Sequence, residues 1–91
     1  MPNKFQVGDI VDWDPANEWL MGAVSRSGLV SGPFIVIEPS EECPNLIRVV
    51  RLDGGVLTGY SGVMPHYQVL PENIVLNRFI TEARKAIRDA S

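Results

Sequence analysis

Every glycine and every proline of this chain falls at or before Pro71, and residues 72–91 contain neither. Glycine has too much backbone freedom for a helix interior and proline lacks the N–H a helix needs, so both serve to punctuate short extended segments. The chain therefore divides into a turn-rich body and a tail free to be helical. Val and Ile number 18 against 7 Leu, and β-branched side chains suit a pleated, half-buried surface. The expectation is a mainly β fold with a C-terminal helix, forming a single domain over residues 1–91.

At 91 residues the chain is near the lower end for a core that holds without a staple. Leu, Ile, Val and Phe supply 28 of those residues, more than a disordered chain carries. No apolar run approaches a membrane span, and the opening Met1-Pro2-Asn3-Lys4-Phe5 has no signal-peptide pattern. Cys43 stands alone, which excludes an internal disulfide or a cysteine-cluster zinc site. These features imply a soluble, cytoplasmic protein with no membrane association.

Five apolar runs are bounded by turn chemistry. Val7 to Trp13 offers Val7, Val11 and Trp13 to a core. Phe34 to Ile37 follows Gly32-Pro33 and, with four apolar residues in succession, reads as a strand buried on both faces. Leu46 to Leu52 and Val56 to Tyr60 flank Asp53-Gly54-Gly55, a hairpin signal because glycine reaches positive φ at no steric cost. Gly59 and Gly62 suggest a bulge or bend in the fourth strand, and Ile74 to Leu76 closes the set. The connection 14–32 holds Trp19, Leu20, Met21, Ala23 and Val24, so part of it must fold back, as a short strand. In the tail, Phe79, Ile80, Ala83, Ile87 and Ala90 share one helical face over residues 77–90. Asn77 is placed to cap its first turn, and Arg84, Lys85 and Arg88 suit its last turns.

With Gly8-Asp9-Ile10-Val11, the Phe34 strand, the Gly54-Gly55 turn and Pro71-Glu72-Asn73-Ile74-Val75-Leu76, residues 5–76 resemble an SH3-like small β-barrel of five strands. In layout the chain also resembles the type II dihydrofolate reductases, SH3-like barrels that assemble as tetramers around a central pore. Trp19 follows Val11 at that family's spacing, and Gln68-Val69-Leu70-Pro71 stands where its Gln-Ile-Tyr-Pro pore segment lies. Leu70 replaces the pore tyrosine, and Asp12 and Asp14 replace lysines that would attract an anionic cofactor. The resemblance therefore implies shared architecture, and no cofactor is expected.

Catalytic and metal sites find little support. Asp12 and Asp14, with Asp9 and Glu18 nearby, form an oxygen-rich group, but no calcium-loop spacing is present; no metal site is expected. Cys43 lies between Glu42 and Pro44, where a neighbouring carboxylate disfavours a thiolate. His66, between Pro65 and Tyr67, reads as a loop residue. No catalytic set emerges.

The aromatics are more informative. Trp13 and Phe34 read as core, whereas Trp19, Tyr60 and Tyr67 exceed what so small a barrel must bury, and SH3-like barrels often line a groove with such rings. Residues 1–45 carry a net charge of −5 and residues 46–91 a net charge of +2, with Arg48 and Arg51 as a local anion patch. The expected function is a non-enzymatic binding module for a protein or peptide partner, with Trp19, Tyr60, Tyr67, Arg48 and Arg51 as candidate contacts. A nucleic-acid-binding barrel, disfavoured by a pI near 4.9, and an oligomeric pore enzyme of the reductase type are the alternatives. The partner could be a second copy. The apolar face of Phe79, Ile80, Ala83 and Ile87 must be buried, and the expectation is that it packs on the open end of its own barrel.

Overall fold

The computed structural model describes residues 5–59 and 62–90. The chain runs through β1 (Ile10–Trp13), α1 (Glu18–Arg26), β2 (Phe34–Ile37), β3 (Ile47–Arg51), β4 (Leu57–Gly59), β5 (Gly62–Met64) and β6 (Tyr67–Val69). A 3-10 turn (Pro71–Asn73) then leads into β7 (Ile74–Leu76) and α2 (Arg78–Ala90). Five strands form one antiparallel sheet in the order β6-β3-β2-β1-β7, and β4 pairs only with β5. The large sheet is curled, but its edge strands β6 and β7 do not pair with each other. The result is an open half-barrel rather than a closed barrel.

Alternation decides which face is inside. Val11 and Trp13 of β1, Phe34 and Val36 of β2, Ile47 and Val49 of β3, and Tyr67 and Val69 of β6 all fall into one core cluster, as a period of two requires. Ile35 and Ile37 are only half-buried, so β2 is covered on one face and not on both. At the centre, the rings of Trp13 and Phe34 meet edge to face at 5.3 Å, and Tyr67 lies 5.9 Å from each. Phe5 joins this cluster in place of Val7, which is 55% exposed. The reversal comes from Gly8, whose φ of 96° turns the chain so that its N–H reaches Val36 O.

The connection between β1 and β2 contains a helix where a short strand was expected. Asn17 Oδ1 accepts the Leu20 N–H at 3.0 Å, Glu18 sits in the first turn and Arg26 in the last, as the helix dipole favours. Leu20 and Val24, one turn apart, are the buried pair. Gly28, at φ 70°, ends the helix with the Leu29 N–H bonded to Val24 O, the left-handed closure that glycine permits.

Two turn assignments also change. A turn does form at Asp53-Gly54, with Gly54 N–H on Arg51 O at 3.1 Å. The strands either side of it are not partners, because residues 52–56 carry the chain off the sheet before β4 begins; β3 pairs with β2 and β6 instead. Gly59 and Gly62 do not mark a bulge but face each other across the β4–β5 ribbon. The strand β6, which had no expectation attached to it, takes the edge position beside β3.

The helix over the tail forms as its pattern requires. Asn77 Oδ1 accepts the Ile80 N–H at 3.0 Å, and Asn77 Nδ2 donates to Asp12 Oδ2 at 2.6 Å, tying the helix start to β1. Its packing is the reverse of the expectation. No residue of α2 is buried; Phe79 is 83% and Ile87 69% exposed, Ala83 is exposed and Ile80 half-buried. The polar side, with Thr81, Arg84, Lys85 and Arg88, lies across a cleft from Gln6–Ile10. The cause is the direct β7-to-α2 junction: Asn77 is bonded to Ile10 and Asp12 at once, which leaves no linker to rotate the apolar face inward. Among the described residues no helix is long and apolar enough to cross a membrane.

Candidate functional site

The open side of the half-barrel holds an apolar groove of about 250 Å³. Trp13 comes from β1, Leu29 from the segment after α1, Gly59 and Met64 from the β4–β5 ribbon, and Tyr67, Gln68 and Val69 from β6. Buried Trp and Tyr need partners for their polar atoms, and here those partners build the groove. Trp13 Nε1 donates to Val30 O at 2.9 Å. The Tyr67 hydroxyl accepts the Val30 N–H at 3.1 Å and donates to Thr58 O. Thr58 Oγ1 in turn donates to Gly28 O at 2.6 Å. One segment, 28–30, is thus held to β1, β6 and β4 together, and the polar atoms of both rings are bonded within the protein, which leaves Gln68 as the polar side chain in a mostly apolar lining.

Gly59 keeps the space open. A Cβ there would lie 2.9 Å from Met64 Sδ and 3.4 Å from Leu29 Cδ2, so a side chain at this position occupies the groove itself. Among the described residues no Asp, Glu, Lys or Arg lines it. A groove lined in this way can remove apolar surface from water.

The residues singled out from sequence do not assemble there as a set. Tyr67 reaches the groove, but as an inner wall only 3% exposed. Trp19 stands on the outer side of α1, 73% exposed, next to the buried Leu20. Tyr60 lies outside the described residues. Arg48 and Arg51, three positions apart on β3, fall on opposite faces of the strand. Arg48 Nη1 donates to Glu38 O at 3.0 Å and borders a different, polar cleft with Glu41, Glu42, His66 and Gln68. Arg51 pairs with Asp53 at 3.1 Å. The two do not form one anion patch.

The acidic residues are engaged locally. Asp9 accepts the Gln6 N–H, Asp14 the Ala16 N–H and Asp12 the Asn77 amide. Among the described residues no three His, Cys, Asp or Glu side chains gather as a metal-ligand set. Cys43 is half-buried and does not line the cleft that contains His66.

Trp13, Leu29, Gly59 and Met64 were not legible as site residues. A signal existed for Gly59 in its spacing to Gly62, which fits a two-residue turn between strands, and for Trp13 in the N–H that any buried indole must satisfy. Nothing local marks Leu29 or Met64. Compared with protein-family models, with characterised proteins and with solved structures, the chain finds no match.

Proposed function

We propose that this chain is a non-enzymatic binding module on an SH3-like half-barrel, and that it takes an apolar side chain of an extended protein or peptide segment in the groove between β6 and the β4–β5 ribbon. The observation that carries this reading is the uncharged groove walled by Trp13 and Tyr67, with their polar atoms already bonded inside the protein. Buried aromatic walls supply large contact area at little entropy cost on binding, and the open edge of β6 beside the groove suits an extended ligand.

Panning the full chain against a displayed library of random peptides tests the proposal. Enriched peptides should share an apolar position, change the tryptophan fluorescence of the wild type, and lose binding to Gly59→Leu, in which the new side chain fills the groove. Peptides that bind Gly59→Leu as well as the wild type would overturn it. So would the absence of any enrichment.

A second reading rests on the cleft between α2 and Gln6–Ile10, about 530 Å³ in volume, where Arg84, Lys85 and Arg88 converge and could track a nucleic-acid backbone. Its mark is a steep salt dependence. A gel shift with single-stranded DNA at low salt, absent in the Arg84→Ala/Arg88→Ala variant, would support it, and no shift at low salt removes it.

A further inference from the structure

We infer that α2 is a self-association element, pairing in parallel with α2 of a second copy about a two-fold axis that runs along the helices. None of its 13 residues is buried, yet its sequence is strongly two-sided. At about 3.6 residues per turn, Phe79, Ile80, Ala83, Ala86 and Ile87 form one stripe. The protein's own body lies against the opposite side, where Thr81, Arg84, Lys85 and Arg88 border the cleft with Gln6–Ile10. Within the stripe Phe79 is 83% and Ile87 69% exposed, while Ile80 is half-buried, so the apolar side offers surface to a second helix.

The charges bordering the stripe select the occupant. Bordering the stripe, Glu82 and Asp89 form an acidic flank on one side, with Arg78 and Lys85 farther round behind them, and Arg84 forms a basic flank on the other, with Arg88 behind it. A parallel two-fold pair turns the acidic flank of each helix toward the basic flank of its mate. An antiparallel pair sets acid against acid and base against base. The helix is thus complementary to itself in one orientation only, and a second copy meets the chemistry that a foreign partner would have to imitate. The same orientation brings the β7 strands of both copies to the same end of the contact, where one of the exposed Val75 and Leu76, which project to opposite faces of the strand, can extend it. That extension matters, because a helix about 20 Å long falls short of the roughly 800 Å² per partner that stable interfaces bury.

Sedimentation equilibrium of the full chain over a concentration series is the test. A reversible monomer–dimer equilibrium is expected, with Phe79→Glu monomeric throughout while its circular dichroism and groove binding match the wild type. Glu82→Arg and Arg84→Glu should each weaken the dimer by roughly tenfold, since every pair occurs twice and attraction becomes repulsion. The double exchange Glu82→Arg/Arg84→Glu should recover most of that loss. A wild type that stays monomeric at every concentration overturns self-association and leaves the stripe to a foreign partner. A dimer indifferent to Phe79→Glu overturns the placement of the interface. A double exchange no tighter than the single variants overturns the parallel orientation.

Discussion

The two helices of this protein have the same start and opposite fates. Each is capped by an asparagine whose Oδ1 accepts the N–H three residues on, Asn17 for α1 and Asn77 for α2. The shorter, less two-sided α1 buries Leu20 and Val24 in the core, while the longer and more amphipathic α2 buries nothing. The difference lies in the connections. α1 is held at both ends, by β1 before it and by the 28–30 segment after it, so its two apolar residues are drawn onto the sheet. α2 is held at its start, where the bonds from Asn77 to Ile10 and Asp12 fix its direction with Phe79 outward. Amphipathicity states that a face wants cover; the tethers decide whether the chain itself can provide it.

Substitutions can break or sharpen that contrast, and the largest effect belongs to α1. Leu20→Ala should lower stability by about 2–4 kcal/mol, as truncation of a buried leucine does, read from urea denaturation. A loss below about 1 kcal/mol would show that α1 is not part of the core. Next in size is Tyr67→Phe, which leaves the Val30 N–H without its acceptor and frees Thr58 O. The expected cost is about 1–3 kcal/mol, and the groove should loosen with it; an unchanged midpoint would mean that the hydroxyl does not hold the segment after α1.

The caps give a finer comparison. Asn17→Ala should cost about 1 kcal/mol in global stability, because α1 unfolds with the core. Asn77→Ala should chiefly lower the helical ellipticity at 222 nm, with a smaller change in the urea midpoint, because α2 can fray while the sheet stays intact. Equal shifts in global stability from both would erase the distinction between the helices. The smallest effect is expected of Phe79→Ala at protein concentrations where the chain is monomeric, less than about 0.5 kcal/mol. A larger loss in dilute solution would place Phe79 within the chain's own core.

What the sequence revealed follows the same division. The tail helix was legible because fourteen residues without Gly or Pro carry one unbroken period, yet that period says nothing of where the face is buried. α1 was missed because Gly22 interrupts it and Trp19, Leu20, Met21, Ala23 and Val24 crowd together without a clear stripe. Only Leu20 and Val24, with Asn17 and Glu18 ahead of them, carried the helical signal. The strands β1 to β3 were legible from their apolar runs, whereas Tyr67-Gln68-Val69, a three-residue stretch that follows Pro65-His66, is too short to show alternation. Asp53-Gly54-Gly55 was read correctly as a turn and wrongly as a hairpin, since turn chemistry fixes a change of direction and not the strand that comes next. The groove depends on all of these at once. Trp13, Leu29, Gly59, Met64 and Tyr67 meet through β1, the segment after α1, the ribbon and β6, and no local pattern contains that meeting.

The pairing of β1 with β7 sets an order of events as well as a shape. Trp13 lies opposite Ile74, so one neighbour of the first strand is encoded about 60 residues after it. At ribosomal rates of about 5–20 residues per second, β1 waits roughly 3–12 s for that neighbour. During this interval β2 can already cover its other edge, since Ile10 and Val11 pair with Ile35 and Phe34. The sheet is therefore completed from its middle outward, and α2, which follows β7 directly, emerges beside a strand that has only just found its place.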